Sequence, residues 1–189
     1  MECCVLPGSW IVAHMYTAYL VFAAVIALML GLWVYARRRV KSKEAVDIVM
    51  ASTVVPMILL FASLGPLCWR GDYGVVLDGH TLRIRFYEDR TVSLDICNTS
   101  VSLVPLEKAR EMVTLRVNGV DDPLGGVHAG YYRLASGQGE AMVLVAGGTE
   151  EAMVMTGDGK TVIIGLPCID ECFQEITRLK EEICRGTQG

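Results

Sequence analysis

Two long stretches without a charged side chain constrain this chain more than any other feature. The first covers the 26 residues of 11–36, and the second covers the 22 residues of 48–69. An α-helix rises about 1.5 Å per residue, so each stretch is long enough to cross a hydrocarbon core of about 30 Å. The sequence therefore predicts a transmembrane helical hairpin over residues 1–69.

A signal peptide or a pair of core helices could also give such stretches. A cleaved signal peptide has a basic start and an apolar run of about 7–15 residues. This chain instead begins Met-Glu-Cys-Cys, and its first apolar run is longer than that. A buried pair of core helices is the second alternative, although a soluble chain of 189 residues rarely buries two such helices. We therefore favour the membrane interpretation.

The loop between the spans, residues 37–47, is strongly basic. Its five positive side chains are Arg37, Arg38, Arg39, Lys41 and Lys43. Short basic loops stay on the cytoplasmic side of a membrane, and the cytoplasmic leaflet is also the anionic one. The hairpin is therefore expected to place the N-terminus and residues 70–189 on the outer side.

Residues 70–189 have the pattern of an ordinary β-rich domain. Apolar and polar side chains alternate from Leu82 to Phe86, and glycine-rich turns separate further short strands at roughly ten-residue intervals. Strands are predicted near 75–77, 82–86, 92–96, 112–117, 130–134, 141–145, 152–155 and 161–164. Residues 98–120 otherwise follow no clear pattern.

The period changes near the C-terminus. Phe173, Ile176, Leu179 and Ile183 fall on one face of an amphipathic helix predicted at about 169–185. The fold class is therefore an α+β membrane protein: a two-helix transmembrane hairpin, then an antiparallel β-barrel or sandwich capped by a C-terminal helix.

The second half of the domain contains a recognisable series of glycine and apolar segments. They are Gly130-Tyr131-Tyr132-Arg133-Leu134, Gly137 with Gly139, Ala141-Met142-Val143-Leu144-Val145, Thr156-Gly157-Asp158-Gly159, Val162-Ile163-Ile164 and the closing helix around Phe173. In these segments the chain resembles the prokaryotic pleckstrin-homology-like family found behind paired membrane helices. The resemblance covers about residues 75–185, and it is close over 125–180. These are glycine and apolar positions, so the resemblance implies a fold and no catalytic residues.

Few residues suggest chemistry. Cys168 and Cys172 form one Cys-x-x-x-Cys pair at the start of the final helix, whereas zinc sites use two clusters and redox sites prefer Cys-x-x-Cys. His128 could act as a base, but no nucleophile elbow accompanies it. Asp121 and Asp122 are interpreted as turn residues.

Two further surface features each allow a functional interpretation and a simpler one. Asn98-Thr99-Ser100 is a glycosylation sequon that is informative only outside the cell. Arg83, Arg85 and Arg133 could form a face for anionic lipid, or could simply be solvated.

The leading hypothesis is a membrane-tethered, non-catalytic binding or scaffold domain that recognises a protein or peptide. The alternatives are a thiol or metal module at Cys168 and Cys172, and a sensor of anionic lipid. No catalytic, cofactor-binding or metal-binding residue is predicted, and the oligomeric state is left open. Residues 70–189 carry 12 basic and 18 acidic side chains, a net charge of −6 that disfavours nucleic acid as a partner.

Overall fold

The computed structural model describes residues 2–13, 16–39, 41–68, 72–86, 90–122 and 126–185. The N-terminal part contains one strand and three helices. They are β1 (Glu2–Pro7), α1 (Gly8–Ala13), α2 (Tyr16–Arg39) and α3 (Lys43–Cys68). Parts of the predicted spans and loop, namely residues 14 and 15, residue 40 and the end of the second span at 69, lie outside the described residues.

Helix α2 carries a segment that could cross a membrane. Among the described residues, only Tyr19–Arg39 is long and apolar enough by length and composition, and none of that stretch is buried inside the protein. Unburied apolar side chains are the opposite of what a soluble core helix shows. Of the two predicted spans, the described residues therefore support one apolar N-terminal helix, which could be a membrane span or a signal sequence.

Helices α2 and α3 pack against each other and are joined at the basic loop. Trp33 Nε1 donates a hydrogen bond to Asp47 Oδ1 at 2.8 Å, and the Arg37 guanidinium lies 3.4 Å from the same carboxylate. Arg37 also lies over the Trp33 ring, 5.3 Å from its centroid. These contacts hold the two helices together where the basic residues lie.

The domain contains two sheets. Sheet A has four strands in the order β1-β2-β3-β4, and all its pairs are antiparallel. Its three later strands are β2 (Asp72–Asp78), β3 (Thr81–Phe86) and β4 (Arg90–Asp95). The alternation from Leu82 to Phe86 predicts β3 correctly, since its apolar side chains are buried and its arginines are exposed. Strand β1 was not predicted.

Sheet B has six strands in the order β5-β9-β10-β8-β7-β6. They are β5 (Ser100–Pro105), β6 (Val113–Asp122), β7 (Val127–Leu134), β8 (Glu140–Val145), β9 (Glu151–Gly157) and β10 (Lys160–Gly165). Helix α4 (Leu106–Glu111) lies between β5 and β6, and α5 (Ile169–Arg185) follows β10. The final helix forms over the range predicted from its apolar spacing.

Three expectations need correction. The barrel is not closed: within the described residues the strands form two open sheets. The domain is not wholly antiparallel, because β10 inserts between β8 and β9 and runs parallel to β8. The interpretation of residues 98–120 as largely without a pattern is incomplete: β5 and α4 form there without having been predicted, and the strand predicted near 112–117 is the first part of β6. Alternation fixes which face a side chain takes, but it does not fix the order of strands.

The main core lies between sheet A, one face of sheet B and helix α5. It contains residues that precede α2 in the sequence, such as Cys4 and Ile11, and residues that follow α3, such as Phe86. Two disulfides fix α5 at its ends. Cys4 is bonded to Cys168 just before the helix, and Cys97 is bonded to Cys184 in its last turn.

A smaller apolar cluster covers the opposite face of sheet B, beneath α4. It joins Ala109 of the helix to side chains from four strands of the sheet. Helix α4 has only six residues, so it covers this face incompletely. The candidate site lies at that gap.

Candidate functional site

A cavity of about 190 Å³ lies between α4 and the outer face of sheet B. Its position follows from the fold, because β6, β7, β8 and β10 are adjacent there and α4 crosses above them. The apolar part of its wall consists of Leu106, Ala109, Val113, Val143, Val145 and Ile163. Such a wall, with a few polar groups at one side, is typical of small-ligand sites.

The polar side of the cavity is built on the β6–β7 ladder. Asp121 and His128 are direct partners across that ladder, and His128 Nδ1 is hydrogen-bonded to Asp121 Oδ1. The Arg110 guanidinium lies 3.3 Å from His128 Nε2. Because arginine only donates, Nε2 accepts, and the neutral ring carries its proton on Nδ1. The structure corrects the interpretation of Asp121 and Asp122 as turn residues, since both lie in β6.

Tyr132 completes the polar side. Its side chain is 8% exposed, and its hydroxyl has no hydrogen-bond partner among the described residues. Burial, reinforced by the nearby Asp121 carboxylate and partly opposed by Arg116, raises the pKa of Tyr132 to about 12. The hydroxyl is therefore protonated at neutral pH and is available to donate into the cavity.

A histidine oriented by a carboxylate is the arrangement of a general base. Here the second ring nitrogen is occupied by Arg110, and no serine or cysteine lines this cavity in the described part of the chain. Among the described lining residues, the one hydroxyl besides that of Tyr132 belongs to Thr114, which donates to the Arg133 carbonyl at 3.4 Å. The geometry is better suited to binding than to nucleophilic catalysis.

The predicted pair of Cys168 and Cys172 is not brought together as two thiols. Cys168 is bonded to Cys4, whereas Cys172 is a buried free thiol next to Cys3. The Cys3 thiol donates to the Cys172 carbonyl oxygen, with sulfur and oxygen 3.4 Å apart. The sequence could not show this arrangement, because it depends on β1 packing beside α5.

The Cys3–Cys172 contact has opposite effects on the two thiols. Hydrogen bonding between them lowers the pKa of Cys3, and together with burial it raises the pKa of Cys172. No group of three histidine, cysteine or acidic side chains suited to a metal ion is found within the described ranges. His128 lies in the cavity, where it is hydrogen-bonded to Asp121. No cysteine lines this cavity in the described part of the chain, so His128 and the cysteines do not form one site.

The other predicted residues lie apart from the cavity. Arg37, Arg38 and Arg39 form the last turn of α2, Lys41 lies in the loop, and Lys43 begins α3. Arg83 and Arg85 lie on the exposed face of sheet A, whereas Arg133 belongs to sheet B, so they form no single strip on one strand or sheet. Arg83 is paired with Asp78 at 2.9 Å.

Three residues of the cavity were not predicted from the sequence. Arg110 lies in the stretch without a pattern, Asp121 resembled a turn residue, and Tyr132 was considered only as part of a strand. A usable signal was the spacing of His128 and Tyr132, which places both on one face of β7.

Searches of protein-family models, curated proteins and solved structures found no match to this chain.

Proposed function

We propose that this chain is a pleckstrin-homology-like binding domain, tethered to the membrane by two helices and exposed on the extracytoplasmic side. Its partner in this proposal is a protein or peptide at the membrane surface, and its role is not catalytic. The observation that carries the proposal is the pairing of β1 with β2, which joins residues from before and after the apolar helices in one sheet.

That pairing supports an even number of membrane crossings. Residues 2–7 and 72–78 are adjacent strands, and Cys4 is bonded to Cys168. Both ends of the helical segment must then lie on one side of the membrane. If α2 crosses the bilayer, α3 has to cross back, and its 26 residues span about 39 Å at the rise of an α-helix.

The same contacts weigh against a cleaved signal sequence. Cleavage after α2 would remove β1 from sheet A and would leave Cys168 without Cys4. It would also remove Ile11, which is fully buried in the main core. A segment that supplies a strand, a disulfide and a core side chain fits better as part of the mature protein.

Charge and cysteine chemistry support the orientation. The five basic residues at the turn between α2 and α3 favour the cytoplasm, and this turn is at the opposite end of the helices from the domain. The two disulfides both lie on the domain side, where an extracytoplasmic setting would preserve them.

The fold assignment has support and one departure. A C-terminal helix that closes a core between two β-sheets agrees with the pleckstrin-homology-like expectation. The parallel β8–β10 pair departs from an all-antiparallel arrangement. The alternative of a thiol module at Cys168 and Cys172 has less support, because Cys168 is in a disulfide.

Cysteine labelling in intact cells tests the topology. Ser42→Cys places a thiol in the basic loop, and Ser136→Cys places one in the exposed β7–β8 turn. With a membrane-impermeant maleimide, we expect Ser136→Cys to react in intact cells and Ser42→Cys to react only after permeabilisation. The unsubstituted chain measures labelling of the native thiols. The reverse pattern would overturn the proposed orientation, and reaction at both sites in intact cells would overturn the hairpin.

A photo-crosslinker tests the binding role. Placed at Thr114 beside the cavity, it should form a discrete adduct with a protein or peptide in native membranes. The matched control is the same crosslinker at Gln138, in the turn after β7. Equal adducts from both positions, or none from Thr114, would argue against a partner at this face.

A further inference from the structure

We infer that the cavity under α4 binds a carboxylate carried on a short, branched apolar group. This inference goes beyond the proposed function, because it assigns a ligand class to one cavity and does not depend on which side of a membrane the domain occupies. Two sources share this chemistry: a free short-chain carboxylic acid and the C-terminal residue of a polypeptide with an apolar side chain.

The size of the cavity limits the ligand. A volume of about 190 Å³ is below the ~300 Å³ at which drug-sized sites begin. At about 30 Å³ for each water in the liquid, it corresponds to about six non-hydrogen atoms. A branched acid of five carbons is close to that size, as is one terminal valine or leucine side chain with its carboxylate.

The wall accounts for the apolar part of the ligand. Val143, Val145 and Ile163 are each at most 5% exposed and come from adjacent strands β8 and β10. Their side chains meet Ala109 of α4 in the outer cluster. A methyl-bearing ligand would bury its surface against these methyl groups, which is favourable in water.

The polar side accounts for the carboxylate. Tyr132 offers a buried hydroxyl without a partner among the described residues, and leaving such a donor unsatisfied is unfavourable. Arg110 uses one of its five N–H groups on His128, so others remain to donate to an anion. Hydrogen bonds from a guanidinium to a carboxylate are among the stronger ones in proteins.

The unused hydrogen-bonding groups of the wall favour an anion over a cation. Among the described residues that line the cavity, Asp121 is the one carboxylate, and its Oδ1 already accepts a hydrogen bond from His128. Arg110 lies in the same wall and keeps N–H groups that His128 does not use, and Arg116 also acts on Tyr132 from the neighbouring strand. An anion therefore meets donors that are still available, whereas the carboxylate that would attract a cation is already engaged.

Titration of the full-length chain in detergent micelles tests the inference. The probes are 3-methylbutanoate, 3-methylbutan-1-amine and 3-methylbutan-1-ol, which share one apolar group and differ in the head group. With isoleucine, leucine and valine methyl groups labelled for NMR, 3-methylbutanoate should shift the signals of Val143, Val145 and Ile163 in a saturable way. The signals of Leu82 and Ile84 in the main core should stay fixed.

Matched variants locate the carboxylate. Arg110→Gln should weaken the apparent affinity for 3-methylbutanoate about tenfold, and Tyr132→Phe by about three- to fivefold, as expected for lost hydrogen bonds. Arg133→Gln, which removes an exposed arginine from the same strand as Tyr132, should leave the affinity unchanged. Unchanged signals from Leu82 and Ile84 verify that each variant is folded.

The outcomes separate the possibilities. No saturable shift with 3-methylbutanoate, or equal or tighter binding of the amine or the alcohol, overturns the inference, and so does an Arg110→Gln variant with unchanged affinity. A short peptide ending in valine, compared with its C-terminal amide, then distinguishes the two sources. Tighter binding of the peptide acid than of its amide identifies a chain terminus, and binding of 3-methylbutanoate alone identifies a free acid.

Discussion

The two faces of sheet B are built very differently. The inner face is closed by sheet A and α5, and its core contains residues that precede the apolar helices in the sequence as well as residues that follow them. The outer face is covered by a six-residue helix, and it retains a cavity with an unpartnered tyrosine hydroxyl among the described residues. The difference indicates that the inner face stabilises the domain and that the outer face is available for binding. Four predictions test this division.

The largest effect is expected in the inner core. Phe86 is 1% exposed and packs edge-to-face on Tyr131, with ring centroids 5.7 Å apart. Phe86→Ala should lower the free energy of unfolding by about 4 kcal/mol, because it removes apolar contacts and leaves a cavity. Denaturation in detergent followed by near-ultraviolet circular dichroism measures this loss. The control, Leu115→Ala on the exposed edge strand β6, should change the free energy of unfolding by less than about 0.5 kcal/mol. Equal losses from Phe86→Ala and Leu115→Ala would contradict the division between the two faces.

The second effect concerns the disulfide at the end of α5. Cys97 and Cys184 are 87 residues apart, so their bond restricts a long loop in the unfolded chain. Replacing both by serine should lower the free energy of unfolding by about 3 kcal/mol. Cys3→Ser removes only a free, partly buried thiol and is the matched control. If the double variant is as stable as the control, the C-terminal end of α5 is held by packing and not by its disulfide.

The third effect appears only in alkaline solution. The pKa of Tyr132 is raised to about 12 in the folded chain, above its usual value near 10. The folded state therefore binds this proton more tightly than the unfolded state does. Its contribution is complete below pH 10 and is lost as pH rises through 12.

Tyr132→Phe isolates this contribution. Between about pH 10 and 12 the unsubstituted chain should lose stability relative to Tyr132→Phe, by roughly 2 to 3 kcal/mol. At pH 7–9 the difference between the two chains should be constant, with Tyr132→Phe the more stable one, because it removes a buried donor that has no partner among the described residues. Parallel stability curves from pH 7 to 12 would show that the hydroxyl is not buried.

The smallest effect is expected on the solvent side of α5. Arg178 lies 2.6 Å from Glu175 and 3.2 Å from Glu182. Arg178 and Glu182 are exposed, and Glu175 is partly exposed. Arg178→Ala should leave the denaturation midpoint within experimental error, since water screens such pairs. A loss of unfolding free energy as large as that of Phe86→Ala would show that ion pairs on the surface of α5 stabilise the domain as much as its core does.

The elements that could be predicted have local signals. The Asp78-Gly79 turn with alternating flanks predicts the β2–β3 hairpin, and the spacing from Phe173 to Ile183 predicts α5. Strand β1 could not be predicted, because six residues show no periodicity and form a strand only by pairing with β2. The parallel β8–β10 pair likewise depends on strand order, which no local pattern encodes.

The candidate site was harder to predict than the fold. Arg110, Asp121, His128 and Tyr132 come from three elements, and only their tertiary arrangement brings them to one cavity. The sequence offers His128, close to Gly130, as a candidate base. It does not identify the partner, because Asp121 is interpreted as a turn residue and only the β6–β7 pairing places it opposite His128. Cys168 was paired with Cys172 by sequence distance, whereas its partner, Cys4, is 164 residues away.

Mapping the cysteine bonds tests the central claim that both flanks of the apolar helices belong to one domain. The full-length chain is extracted from membranes with its free thiols alkylated, digested without reduction, and analysed by mass spectrometry. We predict a linked pair of peptides that carry Cys4 and Cys168, together with alkylated Cys3 and Cys172. Alkylated Cys4 and Cys168, or a chain that lacks its first residues, would contradict the claim.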